Sequence, residues 1–126
     1  MELIESASYY TNSAIVLTDD ITLDGDVIAK AYRLMGTNSN SSLKIDHNGH
    51  NIYAKNYKIE LPEDCILRFV NYSGTPSSIV GTGETVIKSY DDVSFDNDIT
   101  IRNDNGVGIM GANDSNGCTV QDSVVI

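Results

Sequence analysis

The chain has no tryptophan, two prolines and two cysteines in 126 residues. Cys65 and Cys118 lie far apart and belong to no close-spaced motif, so free thiols are favoured over a disulfide, since a stapled scaffold would need more cysteines. Cys65 follows Glu63-Asp64, whose negative charge disfavours an activated thiolate. Basic residues are scarce. Three arginines and five lysines against 18 acids leave a net charge of −10. Nucleic acid is not an expected partner, because phosphate binding needs a lysine/arginine footprint. No apolar run approaches the roughly 20 residues of a membrane-spanning helix. The opening Met1-Glu2-Leu3-Ile4-Glu5 is acidic and lacks a basic n-region, so no signal peptide is expected and the product is expected to be made in a cytoplasm. Alanine, the best helix former, occurs only 6 times.

What the chain does have is 24 isoleucines and valines, in short runs. β-Branched side chains suit a pleated surface better than a helix. Asn48-Gly49, Asn105-Gly106 and Asn116-Gly117 punctuate these runs. Asn-Gly most readily adopts two successive positive φ angles, so each pair predicts a tight turn between extended segments. Charge is uneven. Residues 1–29 carry six acids and no base, 30–88 a slight basic excess, and 89–126 seven acids with Arg102 alone. Such acidic ends serve solubility or docking to basic surfaces.

The length fits one domain with its own core. Residues 1–13 read as an arm, cap or anchor, and 14–126 as a single domain. Strands mostly of three to five residues recur every 7–12 residues, among them 14–17, 20–23, 43–45, 51–54, 57–61, the longer 66–72, 78–80, 85–88, 99–102 and 107–110. Residues 26–35 are ambiguous. Val27, Ile28, Ala31, Leu34 and Met35 fall on one helical face with Asp26 as N-cap and Gly36 as C′, and a strand pair is the rival reading. The class is all-β. A β-sandwich and a β-solenoid both generate this spacing, and the shortness of the strands favours the solenoid.

Leu43-Lys44-Ile45-Asp46-His47-Asn48-Gly49-His50-Asn51-Ile52 and Ile79-Val80-Gly81-Thr82-Gly83-Glu84-Thr85-Val86-Ile87 resemble the rungs of right-handed parallel β-helix proteins of the pectate-lyase-like class. The resemblance spans roughly residues 15–120. It implies a right-handed parallel β-helix. It also implies a choice of roles, from polysaccharide lyases and hydrolases to the tailspikes and fibres of bacteriophages, many of them trimers.

The polar residues do not assemble an active site. Asp46, His47 and His50 have the makings of a metal site but flank an Asn-Gly turn, where solvated polar side chains are expected. The pairs Asp24/Asp26, Asp91/Asp92 and Asp96/Asp98 sit in polar stretches, without the apolar surround that raises one carboxyl pKa in glycosidases. The stretches 96–98, 103–106 and 113–117 are rich in oxygen ligands but follow no calcium-loop spacing. Arg33, Arg68 and Arg102 cannot be set opposite an aspartate cluster of the pectate-lyase kind. Catalytic residues, metal and cofactor are therefore all expected to be none.

The expected function is non-enzymatic: a structural or attachment protein of a bacteriophage virion. A head or tail fibre or a capsid decoration protein fits, acting as a homo-oligomer with a trimer favoured, docked on other virion proteins. Val124, Val125 and Ile126 form an apolar ending suited to an oligomer or partner contact. The alternative is a carbohydrate-binding β-helix module or a lyase-like remnant, with Tyr53, Tyr57 and Tyr72 as candidate glycan contacts.

Overall fold

The computed structural model describes residues 14–29, 44–62, 67–90, 93–111 and 120–125. Twelve strands run through them, and no helix occurs among the described residues. Every strand pair is parallel. Parallel neighbours cannot be joined by a two-residue hairpin, so Asn48-Gly49 and Asn105-Gly106 do not close hairpins, and the sandwich of antiparallel strands has no counterpart among the described residues.

The chain lays its strands in three rows. The first row stacks β1 (Ala14–Val16), β4 (Lys44–Asp46) and β7 (Arg68–Val70). The second stacks β2 (Ile21–Thr22), β5 (Ile52–Lys55) and β8 (Ser77–Gly81). The third stacks β3 (Val27–Ile28), β6 (Ile59–Leu61), β9 (Thr85–Ser89) and β11 (Val107–Gly111). The long strand β10 (Val93–Asn103) continues two rows at once. Its Phe95 pairs with Phe69 of the first row, and Ile99 to Asn103 pair with β8 of the second. It turns between them at Asp98, whose φ is 64°. Its ladder with β12 (Val120–Val125) shifts register across the same stretch.

Register places like on like. Ile21, Ile52, Ile79 and Ile101 form one column, and Val27, Ile59, Ile87 and Ile109 a second. Ile15, Ile45, Phe69 and Phe95 form the third, with the two phenylalanine rings stacked at 5.1 Å. Most of these side chains are fully buried in one cluster. Burying each contributes about 1.5–3 kcal/mol, so the core follows directly from repeated β-branched residues meeting in register. The outward positions alternate with them, as Lys44 beside Arg68 and Glu60 beside Lys88 illustrate.

Several sequence expectations need correction. Val27 and Ile28 are strand, not the start of a helix, because the Val27 and Ala29 amides donate to the Lys58 and Glu60 carbonyls of the neighbouring strand. Asp26 caps no helix; its Oδ1 accepts from the Lys58 amide at 3.1 Å. Residues 30–35 of that stretch lie outside those described. The strand expected over 66–72 is shorter, Arg68–Val70, since the chain leaves the ladder for the corner at Asn71. Asn48-Gly49 adopts the two positive φ angles expected, 51° and 77°. Asn105-Gly106 does not. Glycine serves there for close approach instead, because a Cβ on Gly106 would run into the Glu84 carbonyl oxygen of the turn beneath. Asn116-Gly117 lies outside the described residues.

Candidate functional site

The densest polar cluster sits where the first row turns into the second. It is built on Asp46-His47-Asn48-Gly49-His50-Asn51, flanked by Asp20 on the preceding pass and Asn71 to Thr75 on the next. Ile45 points inward, and strand alternation turns His47 inward as well. It is completely buried rather than solvated as the sequence suggested, and its ring lies 5.9 Å from that of Phe69. A carbonyl only accepts, so the Nδ1–H of His47 donates to the His50 carbonyl oxygen at 3.2 Å. Nε2 is then the unprotonated nitrogen of the neutral ring, buried without a partner among the described residues. Burial pushes the His47 pKa below its ordinary 6.5, opposed by the His50 carbonyl and by Asp46.

The other groups are committed to holding three passes together. Asp46 Oδ1 accepts from the amides of Asn48 at 2.9 Å and Tyr72 at 3.2 Å. Asn48 Nδ2 donates back to the Leu17 carbonyl, and the Gly49 amide donates forward to Asn71 Oδ1. Asp20 Oδ1 accepts from the Asn51 amide, and Asn51 Oδ1 from the amide and hydroxyl of Ser78. His50 Nδ1 lies 3.5 Å from Asp20 Oδ1. The two imidazoles are thus turned to different partners and do not converge. No group of three potential metal ligands occurs among the described residues. Chemically the corner can staple backbone to backbone, but it presents no nucleophile beside a base.

The remaining candidates are dispersed. Asp24 is exposed and Asp26 holds the Lys58 amide. Asp98 is exposed at the turn in β10, while Asp91 and Asp92 lie outside the described residues. In the oxygen-rich 103–106 stretch, Asn103 is buried. Its Nδ2 donates to the Gly83 and Val107 carbonyls, and its Oδ1 accepts from the Asn105 amide. Its oxygen is therefore engaged by an N–H. Asp104 pairs with Arg102 at 2.8 Å. Tyr57 packs against the core, whereas Tyr53 and Tyr72 reach the surface at 39% and 63% exposure. Val124 and Val125 pair with Thr100 and Ile101 of the same chain. Ile126, Cys65, Cys118, Arg33 and residues 113–117 lie outside the described residues.

A shallow groove of about 270 Å³ lies on the outer side of the third row, lined by Asp26, Lys58, Glu84, Lys88 and Met110 among others. Sequence reasoning missed it, because it draws on four passes of the chain that only register brings side by side. Its charges are mixed and partly engaged: Lys58 approaches Glu60 at 4.0 Å, and Lys88 lies over the Tyr90 ring. The burial of His47 was also missed, although its place two residues after Ile45 carries the signal.

No helix among the described residues is long and apolar enough to cross a membrane. No known protein family, curated protein or solved structure matches the chain.

Proposed function

We propose that the three parallel rows are the faces of a short right-handed β-solenoid and that the chain is a non-enzymatic structural or attachment protein. The observation that carries this reading is the use of the polar side chains. At the corner where reactive groups are densest, Asp20, Asp46, Asn48, Asn51 and Asn71 are consumed in bonds between successive passes. A site built for turnover keeps its acid, base or nucleophile free to meet a substrate. Side chains spent in this way stiffen a rod.

The resemblance of residues 15–120 to the β-helix class supports a place in a bacteriophage virion, as a head or tail fibre or a capsid decoration protein. There the chain works as a homo-oligomer, a trimer by preference, docked on other virion proteins. Light scattering during size exclusion tests this directly. A mass of three chains is expected, and a clean monomer over the accessible concentration range would remove the oligomeric reading.

The exposure of Tyr53 and Tyr72 favours a second reading, a carbohydrate-binding module. It requires glycan binding that Tyr53→Ala or Tyr72→Ala abolishes; unchanged binding in both variants would dismiss it.

A further inference from the structure

We propose that Asn105 is a site of spontaneous deamidation in the folded protein, and that the fold shields the chemically equivalent Asn48. Both asparagines precede glycine, which leaves the following backbone nitrogen unhindered. That nitrogen attacks the side-chain Cγ. A bond forms between them, the Cγ–Nδ2 bond breaks, and ammonia departs with the proton lost by the attacking nitrogen. The cyclic imide then takes up water at either carbonyl. One C–N bond opens and an aspartyl or isoaspartyl residue remains. Water is the only co-reactant and nothing is oxidised or reduced.

The reaction needs a backbone N–H free to lose its proton, a carboxamide free to swing and access for water. Asn48-Gly49 fails on the first two, although Asn48 itself is exposed. The Gly49 amide is donated to Asn71 Oδ1 at 3.1 Å, and the Asn48 Nδ2 to the Leu17 carbonyl at 3.2 Å. Asn71 is itself tied to the Thr75 carbonyl and the Ser73 hydroxyl. Ser73 and Thr75 also close over Gly49, where a Cβ would meet each of them at 3.1 Å. Reaction at Asn48 must wait for this corner to open.

Asn105-Gly106 meets every requirement. Residues 104 to 107 are all exposed. The Asn105 amide donates to Asn103 Oδ1, but among the described residues neither the Asn105 carboxamide nor the Gly106 N–H has a hydrogen-bond partner. The position is consequential. An isoaspartyl link adds a methylene to the backbone next to Gly106, which is itself seated so closely on the Glu84 carbonyl that it has no room for a Cβ. It also pulls on the Asn103 bonds to Gly83 and Val107 and on the Val107 amide bond to the Glu84 carbonyl. A new carboxylate joins exposed Asp104 and Glu84. Modification at Asn105 therefore loosens the seating of β11 on β9.

Peptide mapping by mass spectrometry tests this on the intact chain aged in warm, mildly alkaline buffer, folded and in denaturant. Residues 48 and 105 are scored for the gain of one mass unit. In denaturant both should react at similar rates. In the folded chain residue 105 should keep a comparable rate. Residue 48 should slow about thirtyfold, the effect of two hydrogen bonds that must break together. Equal rates at 48 and 105 in the folded chain, or protection of 105 matching that of 48, would overturn the proposal. Asn71→Ala should speed reaction at residue 48 and leave 105 unchanged. Asn71→Asp, which keeps the acceptor, should restore the shielding. If that variant does not fold, the wild-type comparison still decides.

Discussion

Acid should destabilise this protein through His47 before most carboxylates titrate. The imidazole is fully buried, donates Nδ1–H to the His50 carbonyl, and leaves Nε2 without a partner among the described residues. A proton on Nε2 would place a charge in an apolar interior beside Phe69. Its folded pKa therefore lies below the 6.5 it takes when unfolded. Above pH 6.5 the ring is neutral in both states and contributes no pH dependence. Between 6.5 and the lower folded value, the unfolded chain binds the proton and the folded chain does not. Stability then falls with falling pH, by at most about 1.4 kcal/mol per pH unit. Urea unfolding followed by circular dichroism, from about pH 8 to about pH 5, measures this slope. His47→Leu isolates it, because Leu17 occupies the equivalent inward place one pass earlier, where its amide bonds the Asp46 carbonyl. The variant loses a hydrogen bond and an orphaned nitrogen together, so its stability at neutral pH should change by only about 1 kcal/mol. Its slope below pH 6.5 should flatten relative to wild type. The same slope in both proteins would refute the assignment.

Other substitutions probe the stack. Ile79→Ala removes the centre of the second-row column and should cost about 2–5 kcal/mol, read from the urea midpoint at unchanged slope. Gly106→Ala should cost about 1–3 kcal/mol through overlap with the Glu84 carbonyl, although its φ is not positive. Lys55→Gly should stabilise by about 0.5–1 kcal/mol. Lys55 holds a φ of 55° at the irregularity in β5, and relief of that strain exceeds the added freedom of the unfolded chain. An unchanged midpoint in any of the three would contradict its stated cause.

The sequence by itself determined the all-β class and the shortness of the strands. Each follows from local chemistry: β-branched residues alternating with polar ones, broken by residues that favour turns. The two positive φ angles of Asn48-Gly49 were legible for the same reason, since those two residue types favour them. Tertiary structure decided the rest. Whether Val27-Ile28 joined a helix or a strand depended on Lys58 and Glu60 arriving alongside to take their amide bonds. Asn105-Gly106 looked like a second copy of Asn48-Gly49, yet its glycine answers to the Glu84 backbone beneath it. Asp46, His47 and His50 read as a solvated turn with metal-binding spacing. The fold buried one imidazole, turned the other toward Asp20, and bonded the carboxylate to Tyr72 of the next pass. Such partners lie 22 to 32 residues apart in sequence, on the order of one pass of the chain. Local propensity carries no information across that distance; the parallel register, fixed by matching aliphatic columns, does.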